Sequence, residues 1–403
     1  MFSNNALKFA ALSFLFSAFA FRADAEINVK NVVCKPQDPS GEKVDISYEV
    51  SSDDPAGEIL VYPTGYDKSA DLSVPISSTT GDAIEKPIKP GKHHFVWNCA
   101  KDYPGFDPKN FDLKISALKK KELFLVVDLS GGKDAEKYPV SYLDRVPEGG
   151  WSDEYKTKKL VLRLVPSGTF MMGSPKEEFG RFDDESARQR TLNRPFYIGV
   201  FEVTQKQYEL VMGDSPSYYK GDERPVELNS YNDVRGATES ADSAVNADSF
   251  IGRLRKKTGM RFDLPAEDQW EYACRAGTST ALNSGKNLNG TDNCGNANEV
   301  GRYHGNQNDG KGGYDTAYTK VGAYKPNAWG LYDMHGNVME LCLNGHGPAP
   351  KGEDKAIGSG GSHRVLRGGS WRHAARRCRS AYRNYYHPVD SSNNFGFRVS
   401  LMP

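Results

Sequence analysis

The sequence predicts an α+β chain in two parts, a small all-β sandwich followed by a larger domain that mixes strands, three helices and long loops. Three observations carry this reading. Short alternating apolar and polar runs, separated by turn-forming clusters, fill residues 26–118. Three helical stripes with their own start and stop residues follow between 204 and 277. Gly, Asn and Tyr then dominate 283–330, the texture of loops rather than of regular elements.

Each element has a local cause. Residues 44–50 read VDISYEV, the period of two that half-buries a strand, and 59–62, 94–97 and 111–115 repeat it. The turn cluster KPGK at 89–92 separates two of them, and such spacing suits a small sandwich. Residues 119–158 hold one apolar run, 123–127, among Gly, Pro and charged residues, and read as a connector. From 159 the texture changes, with a strand over 160–165. Thr204 and Gln207 form a capping box that starts a helix, and Gly213 stops it. Phe250, Ile251 and Leu254 stripe a second helix that ends by Gly259, and Pro265 suits the first turn of a third, before Gly277.

Composition narrows the class. Residues 1–25 read as an export leader: Lys8, an apolar run over 9–21, and a small-x-small cleavage site at 23–25. That run is shorter than the roughly 20 residues needed to span a bilayer, and no later run approaches it. The expected location is therefore secreted or periplasmic, with no membrane span. Lys plus Arg equals Asp plus Glu at 52 each. So neutral a chain does not suit nucleic acid, whose binding rests on neutralising phosphates. The cysteines are Cys34, Cys99, Cys274, Cys294, Cys342 and Cys378. In an oxidising compartment their default is disulfides, Cys34 with Cys99 first, and Cys378 with Cys274 or Cys342. Spacing alone leaves the pairing open.

Six ordered motifs then point to one family: TFMMGSP at 169–175, FYIGVFEVT at 196–204, LPAEDQWEYAC at 264–274, NAWGLYDMHGNV at 327–338, RGGSW at 367–371 and NFGFR at 394–398. Over 159–403 the chain resembles the sulfatase-modifying-factor domain, that of the formylglycine-generating enzymes. The resemblance implies an irregular α+β variant of the C-type lectin fold. It also implies an oxidoreductase that converts a peptide cysteine to formylglycine, using O₂ and Cu(I) held by two thiolates, the soft ligands that select Cu(I). In the family those cysteines lie five residues apart, the first three residues after the serine of Gly-Gly-Ser. Here the two positions are His373 and Cys378, so one thiolate is missing. Ser370, His373 and Cys378 would form a variant copper site. The resemblance further implies structural calcium at Asn337, Val338 and Glu340, residues that keep the oxygen ligands calcium prefers. A second calcium loop would fall in 296–315.

The lost thiolate favours binding over oxidation. A lectin-like groove is expected from Trp371, Arg372, Arg376, Tyr382, Tyr385 and Tyr386, with His373 beside them, for a peptide, a protein or a small anionic ligand. Eight arginines crowd 364–398 against one acid, Asp390. Arg367, Arg379, Arg383 and Arg398 are expected to be structural, and Arg372, Arg376 and Arg377 to face solvent or ligand. The stretch 371–395 also resembles the variable region of retroelement-diversified proteins, where Arg372, His373, Tyr385, Tyr386, His387, Ser392, Asn393, Asn394 and Phe395 would fill the gaps of a fixed frame.

Overall fold

The computed structural model describes residues 14–15, 27–37, 42–67, 72–76, 78–82, 86–102, 111–192, 194–236, 245–308, 317–345 and 362–401. Except for Phe14 and Leu15, the expected leader lies outside them, as does 309–316 of the second calcium loop. The chain divides into two compact units, 1–122 with 166–169, and 123–165 with 170–403. Among the described residues no helix is long and apolar enough to cross a membrane.

In the first unit, alternation makes strands. Val44, Ile46, Tyr48 and Val50 of the strand Lys43–Ser52 are buried, while their neighbours are less so. Ile46 sits opposite Phe95 of Gly91–Asn98. A five-stranded sheet runs Phe14–Leu15, Ile27–Pro36, Lys43–Ser52, Gly91–Asn98, Thr79–Gly81; a three-stranded sheet runs Leu72–Pro75, Ile59–Asp67, Phe111–Lys119. Both contribute to one apolar cluster, with Phe95, Trp97, Val61 and Ile115 in it and Trp97 stacked on Phe111 at 5.2 Å.

The second unit is built on a six-stranded antiparallel sheet in the order Val140–Leu143, Phe124–Asp128, Lys159–Val165, Phe196–Gly199, Ser400–Leu401, Phe262–Asp263. This changes the reading of 119–158. Phe124–Asp128 pairs with Lys159–Val165 on one side and Val140–Leu143 on the other. Phe124 and Val126 lie in one cluster with Val161, Val200 and Phe201, against which Trp151 and Tyr155 pack. Tyr138 is buried and its hydroxyl donates to the Leu210 carbonyl at 3.1 Å. From 123 on, the expected connector is part of the C-terminal unit.

The helices start and stop where their caps dictate. Thr204 and Gln207 close a reciprocal capping box on Gln205–Met212, and left-handed Gly213 ends it. Ser249 caps Phe250–Thr258 and Gly259 terminates it. The third helix, Glu267–Arg275, begins after Pro265 rather than on it and ends on left-handed Ala276, one residue before Gly277. A second sheet runs Arg383–Tyr386, Arg364–Arg367, Met339–Gly345, Phe395–Gly396, the last pair parallel.

Buried ion pairs join these layers. Arg398 has no exposed surface; its Nε reaches Glu340 Oε2 and its Nη2 reaches Oε1, both at 2.6 Å. Trp270 Nε1 donates to the same Oε2 at 2.7 Å. Arg367 is bonded to Glu271 and to the carbonyls of Ser380, Ala381 and Tyr382. Arg379 grips Glu185 and Glu178, and Arg383 grips Glu267. The four arginines expected to be structural are so, and each holds at least one carboxylate. Removing one member of such a pair strands a buried charge. Arg398→Met is therefore expected to lower stability by about 3–5 kcal/mol, and the double change Arg398→Met with Glu340→Leu by less, as read by urea denaturation.

Candidate functional site

The RGGSW turn sets the site. Gly368 and Gly369 both have positive φ, 88° and 71°. A Cβ on Gly369 would stand 2.3 Å from the Arg377 carbonyl oxygen and 2.6 Å from Cys378 Sγ. Only glycine lets the turn fold back onto the segment 371–379. That segment is strung across two loops. Trp371 N donates to the Asn337 carbonyl, His304 N to that of His373, and Arg376 N to that of Thr291, at 2.9, 2.9 and 2.8 Å.

Ser370, His373 and Cys378 do come together. Ser370 Oγ lies 3.2 Å from His373 Nδ1 and accepts from Asn394 Nδ2 at 3.1 Å. Cys378 Sγ lies 3.9 Å from the Ser370 carbonyl oxygen. Cys378 is the one thiol among them, so the two-thiolate set that the resemblance implies is not assembled at this turn. Cys378 is 1 % exposed, within a cluster of Ala281, Leu282, Leu288, Cys294 and Tyr303. Burial pushes its thiol up to about 12, so the thiolate is disfavoured. Burial, helped by Arg377 and Arg372, lowers His373 to about 4.

The expected disulfides are absent among the described residues; all six cysteines are free thiols. Cys99, Cys274, Cys294 and Cys342 have other neighbours. Cys99 Sγ donates to the Glu42 carbonyl at 3.2 Å, and Cys294 Sγ to Asn289 Oδ1 at 3.1 Å. Cys274 lies 3.6 Å from Ser380 Oγ and 3.8 Å from His335 Nε2, and Cys342 is buried in the cluster around Trp270.

The side chains of Asn337 and Glu340, two of the residues expected to hold calcium, have protein partners. Both oxygens of Glu340 accept from Arg398, so the cation beside it is a guanidinium. Asn337, at φ 60°, accepts from Thr319 N at 2.9 Å and donates to Glu202 Oε2 at 2.5 Å. Val338 N donates to Glu202 Oε1 at 3.1 Å. Among the described residues no group of three or more His, Cys, Asp or Glu side chains could hold a metal ion.

The expected groove is only partly assembled. Trp371 packs edge-on against Tyr219 at 5.8 Å and Tyr318 at 6.4 Å, and its Nε1 donates to the Asn393 carbonyl at 3.2 Å. Exposed Arg372 lies over Trp371 at 5.5 Å and donates to Asn393 Oδ1 at 3.0 Å. Exposed Arg376 lies over Phe182 at 5.4 Å. Tyr382 is a correction: it is 6 % exposed, packed on Phe182 at 5.2 Å, and belongs to the interior. Tyr385 and Tyr386 are exposed but consecutive on one strand, so they point to opposite faces. Tyr386 packs on Phe395 at 4.5 Å, Tyr385 on His363 at 5.7 Å. Of the expected variable positions, Arg372, Tyr385, Tyr386 and His387 are exposed, whereas Asn394 and Phe395 are buried.

Several residues of the site escaped sequence reasoning. His335 is buried, its Nδ1 donating to the Cys378 carbonyl at 2.7 Å and its Nε2 accepting from Asn283 N at 3.0 Å. Burial lowers it to about 4. Glu202 is raised well above its usual range by burial and by Asp333 and Glu340, and Asp333 is raised to about 6, first by burial. Glu227 is buried against Tyr318. A carboxylate within an otherwise apolar run, as Glu202 is in FYIGVFEVT, is the one signal that could have found them.

The fold and this turn define a lectin-like frame of the sulfatase-modifying kind. Residues 152–401 match the Sulfatase-modifying factor enzyme 1-like domain, and the chain belongs to that family. It is 30% identical over 208 residues to chaperone protein LppX of Paenibacillus barcinonensis, covering 44% of this chain and 69% of that one. It is 28% identical over 278 residues to inactive C-alpha-formylglycine-generating enzyme 2 of Mus musculus, covering 59% and 84%. Among solved structures it is similar to PvdO from Pseudomonas aeruginosa, with TM-score 0.51 and 27% identity, covering 60% of this chain and 94% of that one.

The turn geometry makes a direct prediction. Gly369→Ala forces a side chain into positive φ and onto a backbone oxygen, and is expected to cost at least about 2 kcal/mol, seen as a lowered midpoint in thermal unfolding.

Proposed function

We propose that this chain is an exported binding module whose ligand, a peptide, a protein or a small anionic group, meets the C-terminal unit around Trp371, Arg372 and Arg376. The observation that carries this reading is the contrast around Cys378. The one thiol left from the family's pair is sealed in an apolar cluster, while Arg372 and Arg376 face solvent above aromatic rings. Guanidinium groups held over aromatic rings suit carboxylate-bearing partners, since Arg meets these bidentately. Relatives named as a chaperone and as inactive agree with a family in which binding persists without oxidation. The N-terminal sheets, with an apolar core of their own, we take as a separate all-β sandwich domain.

The second reading is an oxidase acting on a peptide cysteine. The proximity of Ser370, His373 and Cys378 supports it. The two readings separate cleanly in experiment. For a binding module, linear peptides selected from a phage-displayed random library against the full chain lose retention by about ten-fold on Arg372→Ala, the scale of one charge-assisted contact, with the melting temperature unchanged. In addition, Cys378 resists iodoacetamide at pH 8 in the folded protein and alkylates once denatured. O₂ consumption with a Cys-containing peptide and Cu(I), lost on Cys378→Ser, would overturn the binding reading.

A further inference from the structure

Tyr219 and Tyr318, which pack on Trp371, also bind a carboxylate whose second oxygen has no partner among the described residues. Glu227 is fully buried. Its Oε1 is crowded, accepting from Tyr218 N at 2.5 Å, Tyr219 N at 3.3 Å and Tyr318 Oη at 2.6 Å. Its Oε2 is buried with no hydrogen-bond partner among the described residues. A buried, unsatisfied carboxylate oxygen is costly, and native proteins rarely leave one without a donor.

The neighbours say which kind of donor fits. Tyr219 stands edge-on to Tyr318 at 5.7 Å and to Trp371 at 5.8 Å, so three rings meet, and two of them belong to residues bonded to Glu227, Tyr318 by its hydroxyl and Tyr219 by its backbone N–H. Ring faces carry negative potential and attract cations. Two of these rings already hold guanidinium groups of the chain, Arg224 over Tyr318 at 5.6 Å and Arg372 over Trp371 at 5.5 Å. Neither is bonded to Oε2. At the surface end, Tyr218 is 68% exposed, and its own backbone N–H anchors it to Glu227.

We propose that Glu227, with Tyr219, Tyr318 and Trp371, forms a subsite for a basic side chain of the ligand, an ammonium or guanidinium that donates to Oε2. Since Glu227 is closed off from solvent, entry displaces the exposed ring of Tyr218. The subsite deepens the binding reading and rests on it: the ligand then carries a basic group at the Trp371 end and an acidic one toward Arg372 and Arg376.

The test uses two small probes on the full chain, N-acetyl-lysine methylamide and its norleucine counterpart, which has no amine. Binding is followed by the indole N–H resonance of Trp371, assigned with Trp371→Phe. The lysine probe is expected to shift that resonance, the norleucine probe is not, and Glu227→Gln is expected to weaken the lysine probe about ten-fold. Equal response to both probes, equal affinity in Glu227→Gln, or no shift in the unaltered protein would each overturn the subsite. The comparison of probes on the unaltered chain stands even where Glu227→Gln folds poorly. Peptide retention that still depends on Arg372 while the lysine probe fails would sink the subsite alone. Retention indifferent to Arg372 would sink the binding reading beneath it.

Discussion

Arg398 enters the C-terminal unit with no exposed surface and places its guanidinium against both oxygens of Glu340. Around that contact the unit is organised. Arg398 lies two residues before the strand Ser400–Leu401, next to the edge of the six-stranded sheet, and Glu340 lies on Met339–Gly345 of the four-stranded one. Trp270, from the third helix, donates to the same carboxylate. One ion pair thus ties two sheets and a helix. The Arg398 Nη1 contact to the Gly199 carbonyl at 2.8 Å adds the neighbouring strand. A unit with few long elements has little regular backbone hydrogen bonding between its layers, so charge-assisted contacts in a low-dielectric interior supply the specificity.

The same device repeats outward and decides what the surface can do. Arg367, Arg379 and Arg383 hold the ends of the RGGSW turn and of the strand Arg383–Tyr386 to carboxylates of the third helix and of the loop at 178–185. With the backbone of 371–379 fixed on both sides, Arg372 and Arg376 project from a rigid base. Pre-organised arginines lose less freedom on meeting a ligand than mobile ones. The price of this arrangement is chemical: the packing that fixes the turn also buries Cys378 and leaves His373 only half-exposed.

Much of the framework was legible in the sequence because its causes are local. The Thr204–Gln207 box and Gly259 mark helix ends within a few residues, and the alternation of 44–50 marks a strand without knowledge of its partner. What was not legible depends on partners far along the chain. Residues 123–127 read as an isolated strand because Leu160–Val165 carries the matching edge, over thirty residues on, and nothing local records the pairing. Glu340 read as a calcium ligand because its cation, Arg398, comes 58 residues later. Tyr382 read as a surface aromatic because burial by Phe182 is a contact across 200 residues of chain order. The cysteines read as disulfide partners on compartment alone, whereas packing sets Cys99, Cys274 and Cys294 against separate oxygen neighbours.

Along 367–398 the residues fall into two interleaved sets. Arginines at 367, 379, 383 and 398 are locked into the interior, and positions 372, 376 and 385–387 hang outside it with few supporting contacts. Substitutions at exposed positions of that kind change stability little, usually within about 0.5 kcal/mol. The fold therefore separates heritable robustness from surface novelty within one short stretch of chain. Descendants of this protein can explore new surface chemistry there by single replacements, without first acquiring compensating changes in the core.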